Sequence, residues 1–102
     1  MAISRKLWAR HNGQAIYKYT MTNESGASVV LCNIGAAIVS VNVPDKDGKL
    51  GDVVVGYRNA ESYFADGPCS GKCPGRYANR IANGKFTLDG VNYELPINNG
   101  PN

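Results

Sequence analysis

The clearest structural signal in this chain is KFTLDGVNYEL, residues 85–95. Apolar and polar residues alternate on both sides of Asp89-Gly90, a pattern that is typical of β-strands with one buried face. An Asp-Gly pair between two such runs predicts a tight hairpin, because a type I′ turn requires positive φ at both central residues. We therefore predict a two-stranded hairpin whose apolar residues share one buried face: Phe86, Leu88, Val91, Tyr93 and Leu95.

The polar residues of this stretch support the same register. Folding the chain at Asp89-Gly90 places Thr87 opposite Asn92 and Lys85 opposite Glu94. Opposite charges directly across a ladder stabilise an antiparallel pair. Turn, register and face therefore agree with one another, as expected of a stable element.

The residues directly before the hairpin, GRYANRIANG at 75–84, are not typical of a buried core. They contain the adjacent pair Asn79 and Arg80, with Arg76 four residues upstream of Arg80. Carboxamide and guanidinium groups present planar sets of hydrogen-bonding atoms, which suit vicinal hydroxyls or carboxylates. The residue types alone also allow a simpler interpretation, in which Arg80 is a solvated strand residue and Asn79 a turn former.

The motif at residues 75–81, GRYANRI, resembles the Gly-Arg-x-Ala-Asn-Arg-Ile stretch of the aldose 1-epimerases, the galactose mutarotases. The resemblance extends upstream through NIGA at 33–36 and DVVVGY at 52–57, and downstream to NNGPN at 98–102. In that family the Asn and Arg of the motif hydrogen-bond sugar hydroxyls. The resemblance therefore implies that Asn79 and Arg80 bind an aldohexose, and that the fold is an antiparallel β-sandwich.

The resemblance also carries an expectation about domain organisation. Family members are much longer, and the later His and Glu that exchange protons in the family have no counterpart in this sequence. It implies that residues 1–102 form the amino-terminal part of a larger sandwich domain. The acid–base pair would then lie in a remaining carboxy-terminal part, either a second chain or a missing segment, and we predict no catalytic residue here.

The residues themselves offer no convincing acid–base pair. Exchange of α and β anomers opens and recloses the pyranose ring, so one group must take the C1 hydroxyl proton while another protonates the ring oxygen. Asp52 is predicted within a strand, Asp89 in the hairpin turn, and Glu94 opposite Lys85. The single histidine, His11, lies in a turn-like stretch. A second interpretation is therefore a non-catalytic carbohydrate-binding β-module, and a third is a purely structural segment.

Composition is that of an ordinary globular domain, with 43% apolar and 19% charged residues. The net charge of +3 is small and its cations are scattered, so no nucleic-acid partner is predicted. No apolar run is long enough for a membrane span, and the amino terminus lacks the apolar core of a secretory signal. We therefore expect a cytoplasmic protein without a membrane partner.

The cysteines give no metal or cofactor site. Cys32, Cys69 and Cys73 are an odd number, and one histidine does not complete a familiar zinc set. Cys69 and Cys73 could form a redox pair, but their spacing is not that of C-x-x-C motifs, and reduced structural thiols are favoured. No cofactor is predicted.

Elsewhere the chain reads as short strands separated by turns, which predicts an all-β fold. Gln14–Thr22 is predicted as the first strand, followed by strands at Ser28–Cys32, 36–43 and 50–57. Asn59 is predicted to cap a short helical turn over 60–65.

Overall fold

The computed structural model describes residues 1–102, which form seven strands, one short α-helix and one 3₁₀ turn. In chain order these are β1 (Ala2–His11), β2 (Gln14–Thr22), β3 (Ser28–Cys32), β4 (Ile38–Pro44), β5 (Leu50–Asp52), α1 (Ala60–Phe64), the 3₁₀ turn Ala82–Gly84, β6 (Lys85–Leu88) and β7 (Val91–Glu94).

The strands form two separate antiparallel sheets. β1 to β5 make one five-stranded sheet in sequential order, and β6 and β7 make a two-stranded sheet. All pairings are antiparallel, so the predicted all-β antiparallel class is confirmed. The structure contains no helix with the length and apolar character that a membrane crossing requires.

The hairpin has the predicted register. Leu88 pairs with Val91 and Lys85 with Glu94, whose charged atoms lie 3.3 Å apart. Asp89 and Gly90 both have positive φ, 51° and 77°, as a type I′ turn requires. On the apolar face the rings of Phe86 and Tyr93 stack with centroids 5.0 Å apart.

The prediction that this apolar face is buried is wrong for the chain as it stands. Phe86 is 41% exposed and Leu88 is 57% exposed. Alternation specifies which residues share a face, but burial requires a second layer, and the hairpin makes no extensive contact with the large sheet or with α1.

Two other sequence expectations need correction. The amino-terminal residues form β1, the longest strand, which was not predicted. It pairs with β2 through a tight turn at Asn12 and Gly13, both with positive φ. The strand expected at 50–57 ends at Asp52, because the Asp52 carboxylate caps the chain by accepting from the Val54 N–H at 3.0 Å.

The buried core is small and lies on one face of the large sheet. It consists of Ile16, Cys32, Ile34, Ala37, Ala60 and Tyr63. Helix α1 supplies Ala60 and Tyr63, and its predicted cap is confirmed, because Asn59 accepts from the Ser62 N–H at 2.9 Å. This packing holds α1 and the loop after it against the sheet.

The opposite face of the large sheet is apolar and uncovered. Cross-strand pairing places Met21 beside Val29 and Val29 beside Val41, and these side chains border one shallow apolar depression. We call this surface, with Tyr19 and Val43, the open sheet face. The Cα radius of gyration is 18.1 Å, against about 13 Å for a compact chain of this length, so the strands do not close around one core.

Candidate functional site

The segment that carries Asn79 and Arg80 is irregular backbone directly before the hairpin. Asn79 has a φ of 70°, in the left-handed region that asparagine tolerates better than most residues. The chain then makes the 3₁₀ turn and enters β6 at Lys85. The sequence therefore presents both side chains on irregular backbone just before the turn, and both are exposed.

Gly84 brings this turn against the end of the hairpin. Its carbonyl accepts from the Leu95 N–H at 2.7 Å, and its φ is 60°. A Cβ at this position would lie 2.7 Å from the Leu95 carbonyl oxygen, so only glycine fits without a shift of the backbone. The contact places the residues after β7 beside Arg80.

The result is an open cavity of about 620 Å³ between the turn and the residues after β7. Ligand pockets of this size hold small molecules. Its polar wall carries one guanidinium and four carboxamides, and its apolar side includes an isoleucine and a leucine: Arg80, Asn79, Asn98, Asn99, Asn102, Ile81 and Leu95. The cavity therefore combines a hydrogen-bonding wall with an apolar one.

Within the cavity Arg80 is held by two asparagines. Its Nε–H donates to Asn99 Oδ1 at 3.0 Å, and its Nη1 lies 3.4 Å from Asn79 Oδ1. Arg76, the other arginine of the motif, does not line this cavity. The structure therefore brings the two predicted site residues together and adds Asn99, whose role no local pattern in the sequence indicated.

The possible acid–base groups lie elsewhere. The Asp52 carboxylate accepts from the Val41 and Val54 N–H groups, and Glu94 pairs with Lys85. His11 stacks on Phe64 with ring centroids 3.7 Å apart, and its Nδ1 lies 3.4 Å from Glu61 Oε2. None of these groups lines the cavity. No three His, Cys, Asp or Glu side chains are grouped so that they could hold a metal ion.

The loop that leads into the motif is anchored by a buried carboxylate, which sequence reasoning did not single out. Asp66 Oδ1 accepts from the Tyr57 hydroxyl at 2.7 Å, and Oδ2 accepts from the Ser70 N–H. Lys72 Nζ lies 3.5 Å from Asp66 Oδ2 and donates to the Tyr63 carbonyl at 2.7 Å. The segment 66–72 is thereby tied to α1 and the core. All three cysteines are free thiols, Cys32 buried and the other two exposed.

The Asp66 carboxylate should make stability depend on pH. Burial raises its pKa, but the hydrogen bonds from Tyr57 and Ser70 and the charge of Lys72 outweigh burial, so the net pKa lies below the usual value. A carboxylate whose pKa is lower in the folded state contributes its full stabilisation when the pH is above its pKa in the unfolded state, about 4. This stabilisation is lost as the pH falls through the pKa of the folded state. We expect the melting temperature to fall in acid below about pH 4.

The Asp66→Asn variant tests this expectation. It should melt at a lower temperature than the wild type at pH 7, and the difference should shrink as pH falls below about 4. Circular dichroism melts across this range provide the measurement. A difference that stays constant with pH would show that Asp66 does not carry the dependence.

The two antiparallel sheets place this chain among the all-β proteins, as an incomplete part of a sandwich. A sequence model of the family "Aldose 1-epimerase" matches residues 17–102. The chain therefore belongs to the aldose 1-epimerase family.

Individual relatives agree with this assignment. Galactose mutarotase of Rattus norvegicus is 41% identical over 90 residues, covering 88% of this chain and 26% of that protein. Aldose 1-epimerase of Escherichia coli strain K12 is 35% identical over 91 residues, covering 89% of this chain and 26% of that protein. The chain thus spans about a quarter of the length of these curated relatives.

Solved structures show the same fold. The galactose 1-epimerase from Lactobacillus acidophilus NCFM superposes with a TM-score of 0.71 over 98% of this chain and 29% of that one, at 23% identity. An aldose epimerase homologue from C. elegans gives a TM-score of 0.66 over 80% of this chain and 25% of that one, at 36% identity. The predicted family and sandwich fold are confirmed.

Proposed function

We propose that this chain supplies the sugar-binding part of an aldose 1-epimerase that interconverts the α and β anomers of an aldohexose such as galactose or glucose. The observation that carries the proposal is the position of Asn79 and Arg80 in one polar cavity. Relatives over most of the chain are named galactose mutarotase and aldose 1-epimerase, which supports the reaction class. A cytoplasmic location stays a prediction of the sequence.

In this proposal Arg80 and Asn79 bind and orient hydroxyls of the sugar. A guanidinium donates along a fixed plane, while a carboxamide both donates and accepts, so the pair can hold two adjacent hydroxyls. Such bonds accelerate the reaction only if they persist when the ring opens, because catalysis depends on binding the transition state. The residues therefore contribute orientation as well as affinity.

The proton transfers require groups that this chain does not bring to the cavity. The Asp52 and Glu94 carboxylates are already engaged by backbone N–H groups and by Lys85. We propose that the acid–base pair belongs to further sequence of the epimerase, in the same polypeptide or a second one, and that residues 1–102 are the amino-terminal part of that domain.

The uncovered apolar surfaces support a further layer of protein. The Phe86 side of the hairpin is exposed, and the open sheet face is only half-buried. A β-sandwich buries such faces against a second sheet about 10 Å away. We propose that the remaining part of the epimerase domain supplies this layer.

Polarimetry on freshly dissolved α-galactose tests whether this chain binds the sugar while further sequence supplies the acid–base pair. The isolated chain should leave mutarotation at the buffer rate. A chimaera in which this chain replaces the matched amino-terminal segment of the rat galactose mutarotase should accelerate mutarotation by at least about 10²-fold, the usual contribution of general acid–base catalysis.

The measurements on the isolated chain and on the chimaera distinguish the possible outcomes. Acceleration by the isolated chain would place the acid–base pair within residues 1–102 and contradict the proposal. A folded chimaera that binds galactose without turnover would instead favour the non-catalytic carbohydrate-binding module.

A further inference from the structure

The contact between Arg80 and Asn99 joins two segments that are 19 residues apart in the chain. Arg80 Nε–H donates to Asn99 Oδ1 at 3.0 Å, a normal distance for a neutral acceptor. The backbone around Asn99 is itself held in place, because the Asn99 N–H donates to the Asn102 carbonyl and the Asn102 N–H donates to the Asn99 carbonyl, both at 2.9 Å. The acceptor for Nε therefore sits on an ordered turn.

The chemistry of the contact determines what Arg80 can still do. A guanidinium carries five N–H donors in one plane, and Asn99 occupies the Nε–H alone. The four donors on the two terminal nitrogens remain, apart from the long 3.4 Å approach of Nη1 to Asn79 Oδ1. Fixing Nε fixes the plane of the whole group, since the guanidinium is rigid.

The acceptor is also neutral. A carboxylate at this position could form a bidentate ion pair with the guanidinium and occupy a second of its donors. An amide oxygen orients the group and leaves its charge free. Arg80 is exposed, so without this contact its long side chain would sample many rotamers.

We propose that Asn99 is a positioning residue, which holds the Arg80 guanidinium in the orientation that binds the sugar. The proposal rests on the proposed function, because it takes an aldohexose as the ligand of Arg80. Asn99 acts through Arg80 and need not touch the sugar. Affinity then depends on the fraction of chains in which Arg80 has the competent orientation.

The test uses the chimaera with the rat galactose mutarotase described above, with residues 1–102 unchanged as the wild type. It follows the side-chain Nε–H signal of Arg80 in ¹H–¹⁵N NMR spectra. In Asn99→Ala this proton should exchange with water about fivefold faster than in the wild type, as expected for the loss of one hydrogen bond. In a galactose titration of the same samples, the dissociation constant should rise by about fivefold. Backbone signals of β6 and β7 report whether the variant stays folded.

Two further variants test whether the effect comes from the oxygen acceptor at position 99. Asn99→Asp keeps an oxygen acceptor for Nε–H, so it should restore slow exchange of that proton. Asn92→Ala removes a carboxamide whose partner is Thr87 on the hairpin, outside the cavity, and should change neither readout.

The outcomes distinguish this proposal from the proposed function. Unchanged Nε–H exchange in Asn99→Ala, or faster exchange with unchanged galactose affinity, overturns the positioning role. A wild type that shows no galactose binding, but whose Nε–H protection depends on Asn99, contradicts the proposed sugar site and supports the positioning of Arg80.

Discussion

Replacing Tyr63 with alanine is expected to destabilise the fold by about 3–5 kcal/mol, the usual cost of removing a large buried aromatic side chain. Tyr63 is 1% exposed and lies at the centre of the small core. Its ring packs edge-on against Trp8 and Tyr57, with centroids 5.8 Å and 5.0 Å away. Domains are stable by only about 5–15 kcal/mol, so the variant should lose a large fraction of its free energy of unfolding.

Two control variants separate packing from hydrogen bonding. Tyr63→Phe keeps the ring but removes the oxygen that accepts from the Tyr57 N–H at 3.1 Å, and should cost about 1 kcal/mol. Phe64→Ala truncates the neighbouring aromatic residue, which is 40% exposed, and should cost less than Tyr63→Ala. Urea denaturation followed by circular dichroism measures all three. Equal effects of Tyr63→Ala and Phe64→Ala would contradict the assigned core.

Replacing Arg80 with alanine is expected to weaken galactose binding by about 1.5–3 kcal/mol, roughly 10- to 150-fold, because a charged hydrogen-bond donor is lost. Arg80→Lys retains the charge but not the planar set of donors, so it should recover little of the affinity. An NMR titration of the chimaera with galactose gives the dissociation constants.

Arg76→Ala is the matched control for Arg80. Arg76 belongs to the same motif and is also exposed, but it does not line the cavity. Its removal should leave galactose affinity unchanged. An equal loss in both variants would mean that general positive charge, and not the geometry at Arg80, retains the sugar.

Local signals in the sequence predicted the elements that depend on neighbouring residues. Asp89-Gly90 and the alternation around it predicted the hairpin register, and Asn59 predicted the start of α1. Both are short-range interactions, a turn that needs positive φ and a side chain that satisfies an N–H three residues away. Strand β1 was missed, because its basic residues alternate with few strongly apolar ones.

In the candidate site, too, some features could be predicted from the sequence and others depend on long-range contacts. The motif around Asn79 and Arg80 was recognisable from the sequence, and the structure places both in one cavity. The contact of Asn99 with Arg80 could not be predicted, because the two residues are 19 positions apart. The contact depends on the hydrogen bond between Gly84 and Leu95, which brings the two segments together. Asp66 likewise becomes an anchor only when the loop brings Lys72 back beside it.

The class of fold, the hairpin register, the helix cap and the family motif could all be predicted from the residues alone. Each depends on residue type at fixed short spacing, which is a property of the chain before it folds. The covered apolar faces, the anchoring of the loop after α1 and the group that holds Arg80 became evident from the folded structure alone. Burial and long-range hydrogen bonds depend on how separate elements meet, and local alternation does not contain that information.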